Sequence, residues 1–103
     1  MDNEKIIFEK LKIINVNGGD VLRGLKSNEM AYNGFGELYF SEVNFGEIKA
    51  WKKHKKMVMN LIVPSGEVKF VFFDDRDNSI ITNRFQEIVI SKSNYKRITV
   101  PPN

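Results

Sequence analysis

Hydrophobic and polar residues mostly alternate along this chain, which is the period of a strand with one buried face. Residues 6–16 alternate loosely as a first strand, with Phe8 breaking strict order. Further strands are predicted over 37–43, 47–54, 57–63, 68–74, 85–91 and 97–100. Turn chemistry falls between them, at Asn17-Gly18-Gly19-Asp20, Asn44-Phe45-Gly46 and Pro64-Ser65-Gly66. Asp20 is expected to cap a short helical stretch over 21–26, kept weak by Gly24. Residues 27–36 and 75–83 read as loops.

Short strands with turns about every ten residues predict an all-β sandwich or barrel. Residues 1–103 form one domain, with no internal repeat, low-complexity tract or linker. One strand stands out. Val68, Phe70 and Phe72 share a face, while Val71 and Phe73 make the other face apolar too. A strand apolar on both faces is either central in the sandwich or covered by another subunit.

Composition narrows the classes. At 42% hydrophobic and 28% charged, the chain reads as globular and not disordered. Its longest apolar run, 57–63, contains Asn60 and is far short of the roughly 20 residues of a membrane span. The N-terminus has no signal-peptide pattern, so the expected compartment is the cytoplasm. With no cysteine there is no disulfide or thiolate chemistry, and a single histidine, His54, excludes multi-histidine metal cages. No metal site is expected.

The charge is unevenly placed. Residues 49–56 carry Lys49, Lys52, Lys53, Lys55 and Lys56 and no acid, whereas the remainder holds 11 basic and 13 acidic residues. A local cationic cluster points to an anionic partner, unless its lysines merely guard an edge strand. Alternation over 47–54 places Ile48, Ala50, Lys52 and His54 on one face and Lys49, Trp51 and Lys53 on the other. If the first face points into a barrel, an ammonium and an imidazole enter with it, and that costs several kcal/mol unless something anionic meets them. That is the pattern of a ligand cavity; a frayed, wet strand end is the plainer reading. Arg76 either pairs with a neighbouring carboxylate in Asp74-Asp75-Arg76-Asp77 or offers its fork to a phosphate. Trp51 either packs or stacks on a base.

The run 61–76 (Leu-Ile-Val-Pro-Ser-Gly-Glu-Val-Lys-Phe-Val-Phe-Phe-Asp-Asp-Arg), with Ser79, the 87–91 segment and the final Ile98-Thr99-Val100-Pro101-Pro102-Asn103, resembles the dTDP-4-dehydrorhamnose 3,5-epimerase family. The segments 36–41 and 49–57 look like a shorter subgroup found among O-antigen and sugar-nucleotide genes, which places the chain in lipopolysaccharide carbohydrate biosynthesis. The resemblance implies a cupin-type jelly roll that acts on nucleotide-linked keto sugars without a cofactor. By position, Lys49-Ala50-Trp51-Lys52 falls where the epimerases have R-G-x-H: Lys49 replaces a diphosphate-binding arginine and Lys52 replaces the histidine base. His54 lies two residues on, where related keto-sugar isomerases carry a second histidine. The segment 21–26, Val-Leu-Arg-Gly-Leu-Lys, mimics the same motif but lies too far upstream to be the same strand. The chain stops at Asn103, where family members continue into a further strand and the tyrosine acid, so truncation or completion by a partner chain is expected.

Two functions follow. In the first, the chain binds a dTDP-linked 4-keto sugar and moves protons next to the carbonyl. Histidine is the side chain that ordinarily titrates near neutrality, which makes His54 the base. Lys52 polarises the carbonyl, Lys49 and Arg76 hold the diphosphate, Trp51 contributes to substrate binding, and two copies pair as a homodimer. In the alternative, a non-catalytic β-barrel binds nucleic acid or another polyanion through the 49–56 lysines. Its lack of interleaved aromatics makes that the weaker reading.

Overall fold

The computed structural model describes residues 5–76 and 84–102. Their regular structure is entirely strand: β1 (Ile7–Lys10), β2 (Ile13–Ile14), β3 (Val21–Leu22), β4 (Met59–Leu61), β5 (Val68–Phe73), β6 (Phe85–Ile90) and β7 (Lys96–Val100). All pairings are antiparallel. One sheet runs β1-β7-β4, a second is the β5-β6 pair, and β2 pairs with β3. No described helix is long and apolar enough to cross a membrane.

The alternating pattern explains how the two larger sheets meet. In β5, Val68, Phe70 and Phe72 are half-buried while Lys69, Val71 and Phe73 are exposed. Register sets Val68 opposite Ile90 and Phe70 opposite Ile88, so one face of the pair is apolar up to Phe72, which lies opposite the exposed Gln86. That face packs on Phe8, Leu61, Ile98 and Val100 of the β1-β7-β4 sheet, around a core of Val63, Ile90 and Ile98. Phe8 meets Phe72 edge-on at 6.1 Å, and Phe72 stacks on Phe70 at 6.1 Å. Burying each of these aliphatic and aromatic side chains contributes about 1.5–3 kcal/mol. The turn from 64 to 67 is tight because Gly66 takes φ 82°, a left-handed conformation open to glycine.

The opposite face of β1-β7-β4 is polar and equally well fixed. Arg97, next to Ile98 in β7, is wholly buried at 0% exposure. Its Nη2 donates to Glu9 Oε1 at 2.8 Å, and its Nη1 donates to the Gly24 carbonyl at 2.7 Å and to Glu29 Oε2 at 3.4 Å. Thr99 Oγ1 donates to Asn60 Oδ1 at 2.7 Å, and Asn60 Nδ2 donates to the Ala31 carbonyl at 3.0 Å. The segment 23–31 is thereby tied across the sheet by side chains instead of a ladder.

Three expectations need correction. The first strand breaks at Leu11, whose amide donates to the Tyr95 carbonyl, so β1 and β2 are separate. The 21–26 stretch is not helical. Val21 and Leu22 pair with β2, and Asp20 accepts from the Val16 amide and pairs with Lys92 instead of capping a helix. Finally, 37–43 and 47–54 form no strand: residues 32–53 are all exposed, with neither sheet lying alongside to complete a ladder. The radius of gyration, 14.9 Å, exceeds the roughly 13 Å of a compact chain of this length. Of the expected 75–83 loop, residues 77–83 lie outside the described residues, as does Ser79 of the family pattern.

Candidate functional site

The cationic segment meets the sandwich at the open end of β5. Lys53 Nζ lies 2.8 Å from Asp75 Oδ2, joining the lysine run to the residues just past Phe73. Asp74 sits beside it. Its amide donates to the Arg84 carbonyl at 2.7 Å, and Arg84 Nη1 donates to the carbonyls of Asp74 and Arg76 at 2.8 and 2.9 Å. These bonds fix the β5 end against the start of β6, where Phe73 and Phe85 pack at 4.8 Å.

Arg76 folds back on Asp74. Nε donates to both carboxylate oxygens at 2.9 and 3.1 Å, and Nη2 donates to Oδ2 at 2.6 Å. The hydrogen bond from Arg76 holds the Asp74 carboxyl below its ordinary 3.8; the Arg76 amide and the charges of Arg76 and Arg84 act the same way, against a smaller opposing effect of burial. The edge of the guanidinium formed by Nε and Nη2 is therefore engaged by a carboxylate, the plainer of the two sequence readings.

His54 is half-buried, and its Nε2 is out of contact with solvent without a hydrogen-bond partner among the described residues. A buried polar nitrogen left unpaired costs about 1–3 kcal/mol. Lys52 is exposed. Because 47–54 is not a strand, the alternation that would put Lys52 and His54 on one face does not operate here. Lys49 is turned to its own neighbourhood: its Nζ donates to Ser41 Oγ at 2.8 Å and to the Glu42 carbonyl at 2.9 Å. The chain between them reverses through a turn in which the Glu47 amide donates to the Asn44 carbonyl. Trp51 is largely exposed and enters no ring contact among the described residues. The structure thus brings His54, Lys53, Asp75 and the Asp74–Arg76 pair to one end of the sandwich, and leaves Lys49, Lys52 and Trp51 on an open segment.

Sequence reasoning missed Lys53, which makes the connection. It also missed Arg97, Glu9 and Glu29, since a charged residue between Lys96 and Ile98 carries no local signal of full burial. For Lys53, an acidic pair 22 positions later was the available signal, but charge alone does not choose one lysine among five.

No protein-family model matches this chain, and no curated protein matches it. Among solved structures, it is similar to the 1.95 Å crystal structure of a dTDP sugar isomerase from Desulfovibrio desulfuricans, with a TM-score of 0.90 and 34% identity. The match covers 97% of this chain and 64% of that one, so this chain spans less than two thirds of that protein's length. The likeness supports the family resemblance drawn from the sequence.

Proposed function

We propose that this chain is the cupin-type jelly-roll portion of a nucleotide-sugar isomerase or epimerase, and that it takes a dTDP-linked 4-keto sugar. The observation that carries the reading is the buried, unpartnered Nε2 of His54, joined to the likeness to a dTDP sugar isomerase over nearly the whole chain. A proton next to a ketone is too weakly acidic for water to remove quickly. His54 takes that proton; the C–H electron pair forms the enolate double bond, and the carbonyl pair moves onto oxygen. Lys52, on the adjoining exposed segment, supplies the cation facing that oxygen once the segment is covered. Protonation of the same carbon from the opposite face, by water or another acid, gives an epimer; protonation of the former carbonyl carbon, with the neighbouring hydroxyl passing its proton to the former carbonyl oxygen, gives the isomeric ketone. Lys49 and Arg76 hold the diphosphate, with Trp51 against the substrate. The cytoplasmic assembly of lipopolysaccharide sugars fits this chemistry.

A second copy of the chain is the proposed cover. A monomer of 11.9 kDa ordinarily exposes about 5,900 Å², whereas this chain exposes 8458 Å². The exposed segment is also rich in Phe35, Leu38, Phe40, Phe45, Ile48 and Trp51. β1 and β4 are the outer strands of their sheet, and β5 and β6 each have one unpaired edge. Alternating segments without a ladder and strands with free edges are complementary, and exchange between two identical chains satisfies both.

The polyanion alternative loses ground in the geometry. Lys53 is paired with the Asp75 carboxylate, which leaves one ammonium group fewer for a polyanion. The test is solvent deuterium exchange next to the keto carbon of dTDP-4-keto-6-deoxyglucose. His54→Asn is expected to slow it by about 10² or more, the usual loss on removing a general base. Lys49→Ala should weaken binding and leave exchange at saturation nearly intact. Exchange undiminished in His54→Asn removes the base assignment.

A further inference from the structure

A cleft of about 540 Å³ is lined by Lys10, Lys12, Arg23, Gly24, Lys26 and Glu29 among others, and by none of residues 49–56. Four of these side chains are cations and one is a carboxylate. We propose that this cleft is a second binding site, for a small ligand bearing adjacent phosphate groups, separate from the keto-sugar site.

The cluster is assembled by long-range bonds. The Arg23 amide donates to the Lys12 carbonyl at 2.9 Å, which sets these two residues side by side. Tyr95 Oη donates to the Arg23 carbonyl at 2.7 Å, and the buried Arg97 donates to the next carbonyl, that of Gly24, also at 2.7 Å. Burial pushes the Tyr95 phenol above its ordinary value, so it stays protonated and keeps donating. The Leu11 amide, between Lys10 and Lys12, donates to the Tyr95 carbonyl at 3.1 Å. The chain at 10–12 and at 23–24 is thereby pinned so that the cations line one cleft.

The one carboxylate in the cleft offsets only part of this charge. Glu29 accepts from the Lys26 amide at 2.6 Å through Oε1, and its Oε2 faces Arg97. The bond from the Lys26 amide holds its carboxyl below the ordinary 4.5, with the charges of Arg97 and Lys26 acting the same way, so it stays ionised, and four cations against one carboxylate leave the cleft positive. None of the ammonium groups of Lys10, Lys12 and Lys26, nor the Arg23 guanidinium, forms an ion pair among the described residues. Four like charges held in one concavity repel unless an anion joins them. The volume lies within the range of small-molecule sites, which favours a compact polyphosphate over a nucleic-acid strand. Arg23 offers a planar fork and the lysines movable point charges, the combination that suits neighbouring phosphates.

Inorganic diphosphate titrated into the full chain by calorimetry, at low salt and without phosphate buffer, tests this. Arg23→Ala/Lys26→Ala should weaken binding by about ten-fold or more, because charge-assisted contacts are lost. Lys55→Ala/Lys56→Ala removes the same charge from the other cationic segment and should change binding less than about two-fold. Unchanged thermal midpoints without diphosphate confirm that both variants fold; if the first does not, Lys10→Gln/Lys12→Gln replaces it. The proposal is overturned if the parent chain binds no diphosphate, if both variants lose affinity equally, or if a single-stranded oligonucleotide binds the cleft more tightly than diphosphate. Keto-sugar exchange does not enter the readout, so failure here leaves the His54 assignment to its own test.

Discussion

Residues 68–73 and 37–43 carry the same signal, an apolar side chain at nearly every second position, yet they end differently. The first becomes β5, which pairs through six register positions with β6 and buries Val68, Phe70 and Phe72. The second lies open with Phe40 at 86% exposure, and beyond it Ile48 is at 89%. Periodicity fixes which side chains share a face, and nothing in it names the surface that face meets. For β5 the partner, β6, lies further along the same chain. For 32–53 no partner lies in the same chain among the described residues. The contrast separates what folds within one chain from what a second copy is proposed to complete, and each half can be challenged.

The largest effect is expected in the packed half. Arg97 is fully buried between Glu9 and Glu29, with its Nε unpartnered. Arg97→Met removes the charge that ties β1, β7 and the 23–31 segment together. Removing one partner from a buried ion pair costs about 3–5 kcal/mol. Glu9 and Glu29 keep some contact with water at 49% and 29% side-chain exposure, so the lower end, about 3 kcal/mol, is expected in urea unfolding. Ile48→Ala on the open segment, measured under dilute monomeric conditions, should stay within about 0.5 kcal/mol. Equal losses would erase the distinction between the two regions.

Much of the packed half was legible in the sequence. The 64–66 turn and the strands β4 to β7 follow from alternation plus Gly and Pro, because both partners of each face are coded as alternating runs. His54 was legible as a candidate for a simpler reason, being the sole histidine. Arg97 was not, since its burial depends on Glu9 and Glu29, some 88 and 68 residues away. The failure at 21–26 is equally physical: Asp20 before Val21 is a reasonable cap by local rules, but Lys92, brought in by the β6–β7 turn, competes for its carboxylate. Long-range pairing overrode a short-range preference.

A smaller effect tests the open half directly. Phe40→Asp/Phe45→Asp places two carboxylates where a second copy is proposed to pack. Association measured by sedimentation should weaken by at least about 100-fold, equivalent to about 2.7 kcal/mol, with the monomer's urea midpoint little changed. If the parent chain is already monomeric at micromolar concentration, or if the variant still dimerises, the open segment is not an interface between copies.

The smallest effect lies where the two regions join, at Asp74. Its carboxyl titrates below the ordinary 3.8 in the folded chain, chiefly because Arg76 donates to it. A carboxyl with a lowered folded value binds its proton more readily when unfolded, so the bond contributes fully above about 3.8 and is lost as pH falls through the folded value. Asp74→Asn should therefore narrow its stability deficit as pH drops from about 5 towards 2, measured as the difference in urea midpoints from the parent chain. Asp20 and Glu29 are lowered in the same direction, so the parent chain still loses stability in acid, and only the part belonging to Asp74 disappears in the variant. A difference that stays constant across that window would mean that the Arg76–Asp74 contact contributes nothing to folding, and that Arg76 is held ready for a ligand at no cost to the sandwich.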